Sequence, residues 1–163
     1  MAISKSKKKE ILDKLKGALK GAKSLVFVNF RGLKVAEANE MRRALKDEGV
    51  SYSVAKKTLT KMALADEKYE GSQPDLEGEL ALAWGEEDEL TPLREVYGFQ
   101  KKFPQGLKIL GGVFGGKYMS KGEIEEIALI PGIDVLRGKF VNIINSPIQR
   151  VAIALNEIAK NKN

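Results

Sequence analysis

With 163 residues, 43% of them hydrophobic, the chain suffices for one ordinary domain with an appendage or for two small domains. It has no Cys and no His, which excludes thiol chemistry, disulfides, His-based acid–base catalysis and the zinc sites built from these ligands. The net charge of +6 is unevenly spread: residues 1–63 hold 16 Lys and Arg against 6 Asp and Glu, residues 64–100 hold 2 against 11, and residues 101–163 hold 10 against 5. A basic first block fits either a phosphate-backbone binder or a solubilising lysine-rich surface. Met1-Ala2-Ile3-Ser4 runs into Lys5, Lys7, Lys8 and Lys9 with no apolar stretch behind it, and about eighteen consecutive apolar residues occur nowhere, so the expectation is a soluble cytoplasmic protein.

In chain order, Ile11, Leu12, Leu15, Ala18, Leu19 and Ala22 recur at threes and fours, which predicts an amphipathic helix from Lys5 to Ala22. Ser24 to Phe30 is short and almost wholly apolar, as a central strand covered on both faces would be. After the break at Arg31-Gly32, a helix is predicted from Val35 to Glu48, with Ala38, Met41 and Leu45 inward, Gly49 at its end, and Arg42, Arg43 and Lys46 exposed. Val50, Tyr52 and Val54 alternate with small residues, the period of a half-buried strand. A short helix should start at Lys57 or Thr58 and turn Leu59, Met62 and Ala63 inward, before a polar loop from Asp66 to Gly78.

Leu80 to Trp84 reads as a third strand. The acidic run Glu86-Glu87-Asp88-Glu89 precedes Thr91-Pro92, read as an N-cap and first-turn proline of a helix that uses Leu93, Val96, Tyr97 and Phe103. Leu107 to Phe114 is a fourth strand interrupted by Gly111-Gly112, and Gly115-Gly116 turns into a fifth at Lys117 to Met119. Ser120 and Glu123 form the capping-box pair of a helix reaching Leu129. Pro131-Gly132 marks a boundary, beyond which two helical stretches are predicted, Ile133–Ile144 and Pro147–Lys160.

The glycine cluster 111–116 has neither dinucleotide-fingerprint spacing nor a Gly-Lys-Ser/Thr ending, so it fits a bulge or turn better than a nucleotide site. The acidic run suits a solvated helix start better than a Mg²⁺ site, and no metal or cofactor is expected. Arg31-Gly32 and Lys56-Lys57-Thr58 each lie where a strand hands over to a helix, so backbone amides, a hydroxyl and long cations can converge there on phosphate. Lys7, Lys8, Arg42 and Lys46 complete the candidate nucleic-acid contacts. In the tail, Ile148, Val151, Ala152, Leu155, Ile158 and Ala159 fall within about 120° of arc. Such a stripe usually packs back on its own domain; Ile153, off the stripe, and the boundary at Pro131-Gly132 weigh against that and toward docking on partner helices.

The run Val28-Asn29-Phe30-Arg31-Gly32-Leu33-Lys34-Val35, then Met41-Arg42-Arg43-Ala44-Leu45, Gly49 and Tyr52-Ser53-Val54-Ala55-Lys56-Lys57-Thr58-Leu59 resembles the bacterial family of ribosomal protein ten of the large subunit. The resemblance extends over the whole chain. It implies an α/β, ferredoxin-like two-layer sandwich over residues 1–130, with a mixed sheet of four to five strands, bound to large-subunit rRNA at the stalk base beside ribosomal protein eleven. It implies a helical tail, residues 131–163, occupied by dimers of the acidic stalk protein (ribosomal protein seven/twelve), which recruit translational GTPases. The family's Arg-Gly falls on Arg31 and Gly32, and its Lys-Asn-Thr-Leu motif on Lys56, Lys57, Thr58 and Leu59. Lys57 departs from the family's Asn, which keeps phosphate affinity but loses an amide's two-way hydrogen bonding. Lys34 stands where the family often has a Thr helix cap. The alternatives are an assembly factor of the same family without the docking tail, and a small nucleotide-using enzyme.

Overall fold

Alternation along a single strand sets the layers of this fold. A computed structural model describes residues 5–67, 69–86 and 88–161, with side chains from residue 9 to 160. In β1, Ser24–Asn29, every residue from Ser24 to Val28 is buried, so both faces must be covered. Val26 and Val28 point to one face, where they meet α2 (Val35–Asp47, Met41 and Leu45 inward), α4 (Thr91–Lys102, Leu93, Val96 and Phe99 inward) and α5 (Lys121–Ala128, Ile124 inward). Leu25 and Phe27 point to the other, against Leu15 and Leu19 of α1 (Lys5–Gly21) and Leu59, Ala63 and Leu64 of α3 (Lys57–Asp66). Each of these fully buried large side chains stabilises the fold by about 1.5–3 kcal/mol relative to exposure.

The sheet adds β2 (Val50–Val54), β3 (Leu80–Gly85), β4 (Lys108–Phe114) and β5 (Lys117–Ser120), in the order β2-β3-β1-β4-β5. Within it, β1-α2-β2-β3-α4-β4 has the strand order of the ferredoxin-like split β-α-β arrangement, and β5 extends it at one edge. The α/β class and the helical tail stand as expected, and two features of the sheet differ. All named strand pairs are antiparallel, not mixed, because strands of like direction are never neighbours: β3 inserts between β1 and β2, and β1 between β3 and β4. The sandwich has three layers, not two, because α1 and α3 cover the second face that an apolar β1 cannot leave in water.

Local differences have local causes. In α3, Leu59 and Ala63 are buried as predicted, but Met62 is 59% exposed and Thr60 is buried instead. The Thr60 hydroxyl donates to the Lys56 carbonyl at 3.3 Å, so its polar group enters the core satisfied. Thr91 is the first residue of α4 and not its cap; Asp88 accepts from the Leu90 amide at 3.1 Å and the Thr91 hydroxyl at 2.6 Å. Glu87 lies outside the described residues. The bulge in β4 falls at Leu110, just before the glycine pair, with Phe27 opposite Gly111 and Val28 opposite Ile109. The segment before β3 is tied down along β5, where the Tyr118 amide donates to the Glu70 carbonyl at 2.8 Å and the rings of Tyr69 and Tyr118 meet edge to face.

The chain divides into two units at Ile130/Pro131. The second contains one helix, α6, Ile133–Asn161, which runs through Pro147. Two stretches with a fresh start at Ser146-Pro147 were expected. An interior proline removes one helical hydrogen bond and crowds the preceding turn, and here it does not end the helix.

Candidate nucleic-acid interface

Because β3 runs antiparallel to both β1 and β2, the C-terminal ends of those two strands open at the same end of the sheet: Asn29 lies opposite Leu80 and Val54 opposite Ala81. Arg31-Gly32 and Lys56-Lys57-Thr58 therefore emerge together, one strand apart, with the start of β3 between them. Gly32 has φ +97°, a left-handed conformation that glycine adopts without strain, and the Arg31 amide donates to the Asn29 side-chain oxygen at 3.0 Å. An open groove there is lined by Phe30, Val54, Lys56, Lys57, Gly78 and Glu79.

The helix starts add donors. Lys56 is the N-cap of α3 and its side chain makes no capping bond, leaving the positive end of the helix unneutralised by any first-turn acid. Lys34 caps α2 no better, but the Glu37 carboxylate accepts from the Lys34 amide at 3.0 Å, so the reverse half of a capping box survives the lysine. Arg31, Lys34, Lys56 and Thr58 are exposed and Lys57 is half-buried. Among the described residues no carboxylate lies within ion-pair distance of Arg31, Lys34, Lys56 or Lys57.

The remaining candidates lie elsewhere. Arg42 stacks over the Tyr52 ring, 5.6 Å from its centroid, and shares a groove at the β2 edge with Lys46, Ser51 and Trp84. Burial pushes the Tyr52 hydroxyl above its ordinary pKa, opposed by the Arg42 charge. Lys46 sits near Val50, which pairs with Gly85, so it belongs to the opposite end of the sheet from Arg31. The backbone at Lys7 and Lys8 is part of α1, and their side chains lie outside the described residues. Sequence reasoning missed Lys102 and Lys108: Lys108 lies opposite Asn29, at the Arg31 end of the sheet. Their signal is the antiparallel register of β4 on β1, which is invisible until the two strands are paired.

In the second unit, Ile148, Val151, Leu155 and Ile158 are all exposed, at 58–70% of their possible area, and Ala152 and Ala159 are exposed with them. Ile153 is 58% exposed. Among the described residues no group of three acidic side chains is placed to hold a metal ion, and no helix is long and apolar enough to cross a membrane.

The first unit is a split β-α-β sheet with exposed cations gathered at one end, and the second is a long helix of exposed apolar side chains. A model of the family described as ribosomal protein L10 matches residues 3–101. The chain is 32% identical over 155 residues to the large ribosomal subunit protein uL10 of Staphylococcus carnosus, spanning 95% of this chain and 93% of that one. It is 36% identical over 160 residues to its counterpart from Fusobacterium nucleatum, spanning 95% and 94%. The chain belongs to the ribosomal protein L10 family of the large ribosomal subunit, a family of ribosomal structural proteins and not of enzymes.

Proposed function

We propose that the first unit binds large-subunit rRNA at the base of the ribosomal stalk, next to ribosomal protein eleven, and that α6 anchors dimers of the acidic stalk protein, which recruit translational GTPases to the cytoplasmic ribosome. The convergence of Arg31, Lys56 and Lys57 on one end of the sheet carries the RNA reading. Arginine offers phosphate a planar bidentate fork, lysine a mobile point charge, and the uncapped start of α3 a pair of amides. The second surface supports the anchoring: an exposed apolar stripe along α6 suits the groove between partner helices. An assembly factor without a docking tail has no use for that stripe.

Filter binding with transcribed large-subunit rRNA tests the first surface. Arg31→Ala is expected to weaken binding by about 1–3 kcal/mol and to reduce the salt slope by about one. A folded variant with wild-type affinity and slope would remove Arg31 from the interface.

A further inference from the structure

The loop between α4 and β4 packs directly on the turn that carries Arg31. A Cβ added to Gly32 would stand 3.5 Å from the Gln105 carbonyl oxygen, and one added to Gly106 would stand 3.0 Å from Leu33 Cδ1 and 3.2 Å from its Cα. The contact at Gly32 is an ordinary one and that at Gly106 is tight, so the missing Cβ of Gly106 lets the two backbones meet along a shared groove lined by Gly32, Lys34, Lys102, Pro104 and Gln105. Lys102 and Lys108 bracket this loop and both are exposed. Lys108 has no ion pair among the described residues; Lys102 contacts Glu40 at 3.1 Å, an exposed pair worth too little to hold it from a phosphate.

We propose that the α4–β4 loop is a second RNA-contacting arm, in which Lys102 and Lys108 bind phosphates of the same RNA that Arg31, Lys56 and Lys57 contact. The proposal rests on the RNA reading above and extends it to a segment that reading leaves out. Strands lie about 4.8 Å apart, so from β4 through β1 and β3 to β2 the cations span roughly 14 Å, room for more than one phosphate. The groups supplied are cations, glycine backbone and one exposed amide, Gln105, which suits a polyanion with hydroxyls along its backbone.

The test is salt-dependent filter binding of the full chain to transcribed large-subunit rRNA. Lys102→Ala/Lys108→Ala should lose about tenfold in affinity at moderate salt and lower the salt slope by about two. Lys117→Ala is the control for net charge, because Lys117 starts β5 at the opposite end of the sheet, paired with Glu70. It should bind as wild type, and Lys108→Ala alone should not. If Lys117→Ala and Lys108→Ala lose affinity equally, the effect is general charge and the arm is refuted. If the double variant binds as wild type while Arg31→Ala is weakened, the arm is refuted and the RNA reading survives. Wild-type binding by the double variant and by Arg31→Ala and Lys56→Ala alike overturns both.

Discussion

Asp88 shows how one side chain can redirect a helix start. The Thr91 hydroxyl, and then the Leu90 amide, donate to its carboxylate and hold its pKa below the ordinary value of 3.8. A carboxyl with a lower pKa in the folded state stabilises the fold above the ordinary value, and that contribution is lost as pH falls through the folded one. Asp88→Ala is expected to cost about 1 kcal/mol near neutral pH, a melting shift of about 3 °C. The two melting curves should converge in acid; a gap that persists there would mean the charged cap is not the source. Gly112 is the second case. A Cβ there would press on the Leu25 carbonyl oxygen and on Ile124, so Gly112→Ala is expected to destabilise by about 1–3 kcal/mol in urea unfolding. An interruption of β4 was legible from the glycine pair, but its place at Leu110 and the closeness of β1 were not, because they depend on a strand more than eighty residues earlier.

At the scale of elements, the amphipathic periodicity of α1, α2 and α4 and the Ser120–Glu123 capping box of α5 were legible, since each is encoded within a few turns of its own sequence. The Glu123 carboxylate accepts from both the Ser120 amide and hydroxyl at 2.8 Å, which lowers its pKa. Pro147 misled, because Ser-Pro-x-Gln is as good a start as any and the sequence does not show whether the preceding turn will tolerate the ring. For α6 the decisive variant is Leu155→Asp. Burying that side chain against a partner is worth about 1.5–3 kcal/mol, and a charge in the groove adds to the loss, so calorimetry with the acidic stalk protein should show at least that deficit. Stalk affinity that survives, with a melting temperature lower by several degrees, would make the stripe part of the protein's own core.

For the whole molecule, the break at Ile130/Pro131 separates the sheet with its two cores from a helix with none. A chain ending at Ile130 is therefore expected to keep the melting temperature and rRNA affinity of the full protein while losing stalk-protein binding altogether. Loss of RNA affinity on truncation would show that α6 contributes to the RNA surface. The sequence by itself determined what is local: which segments are helix or strand, that β1 is central, that cations follow β1 and β2, and that the tail is apolar on one side. Tertiary structure alone decided that β3 lies between β1 and β2, that α1 and α3 close the second face, and that Lys108 arrives opposite Asn29 and Lys102 in a groove with Gly32 while Lys46 lies at the other end of the sheet. The reason is physical: a strand's alternation fixes which side chains share a face, but its neighbour is chosen by hydrogen bonds and packing between distant segments.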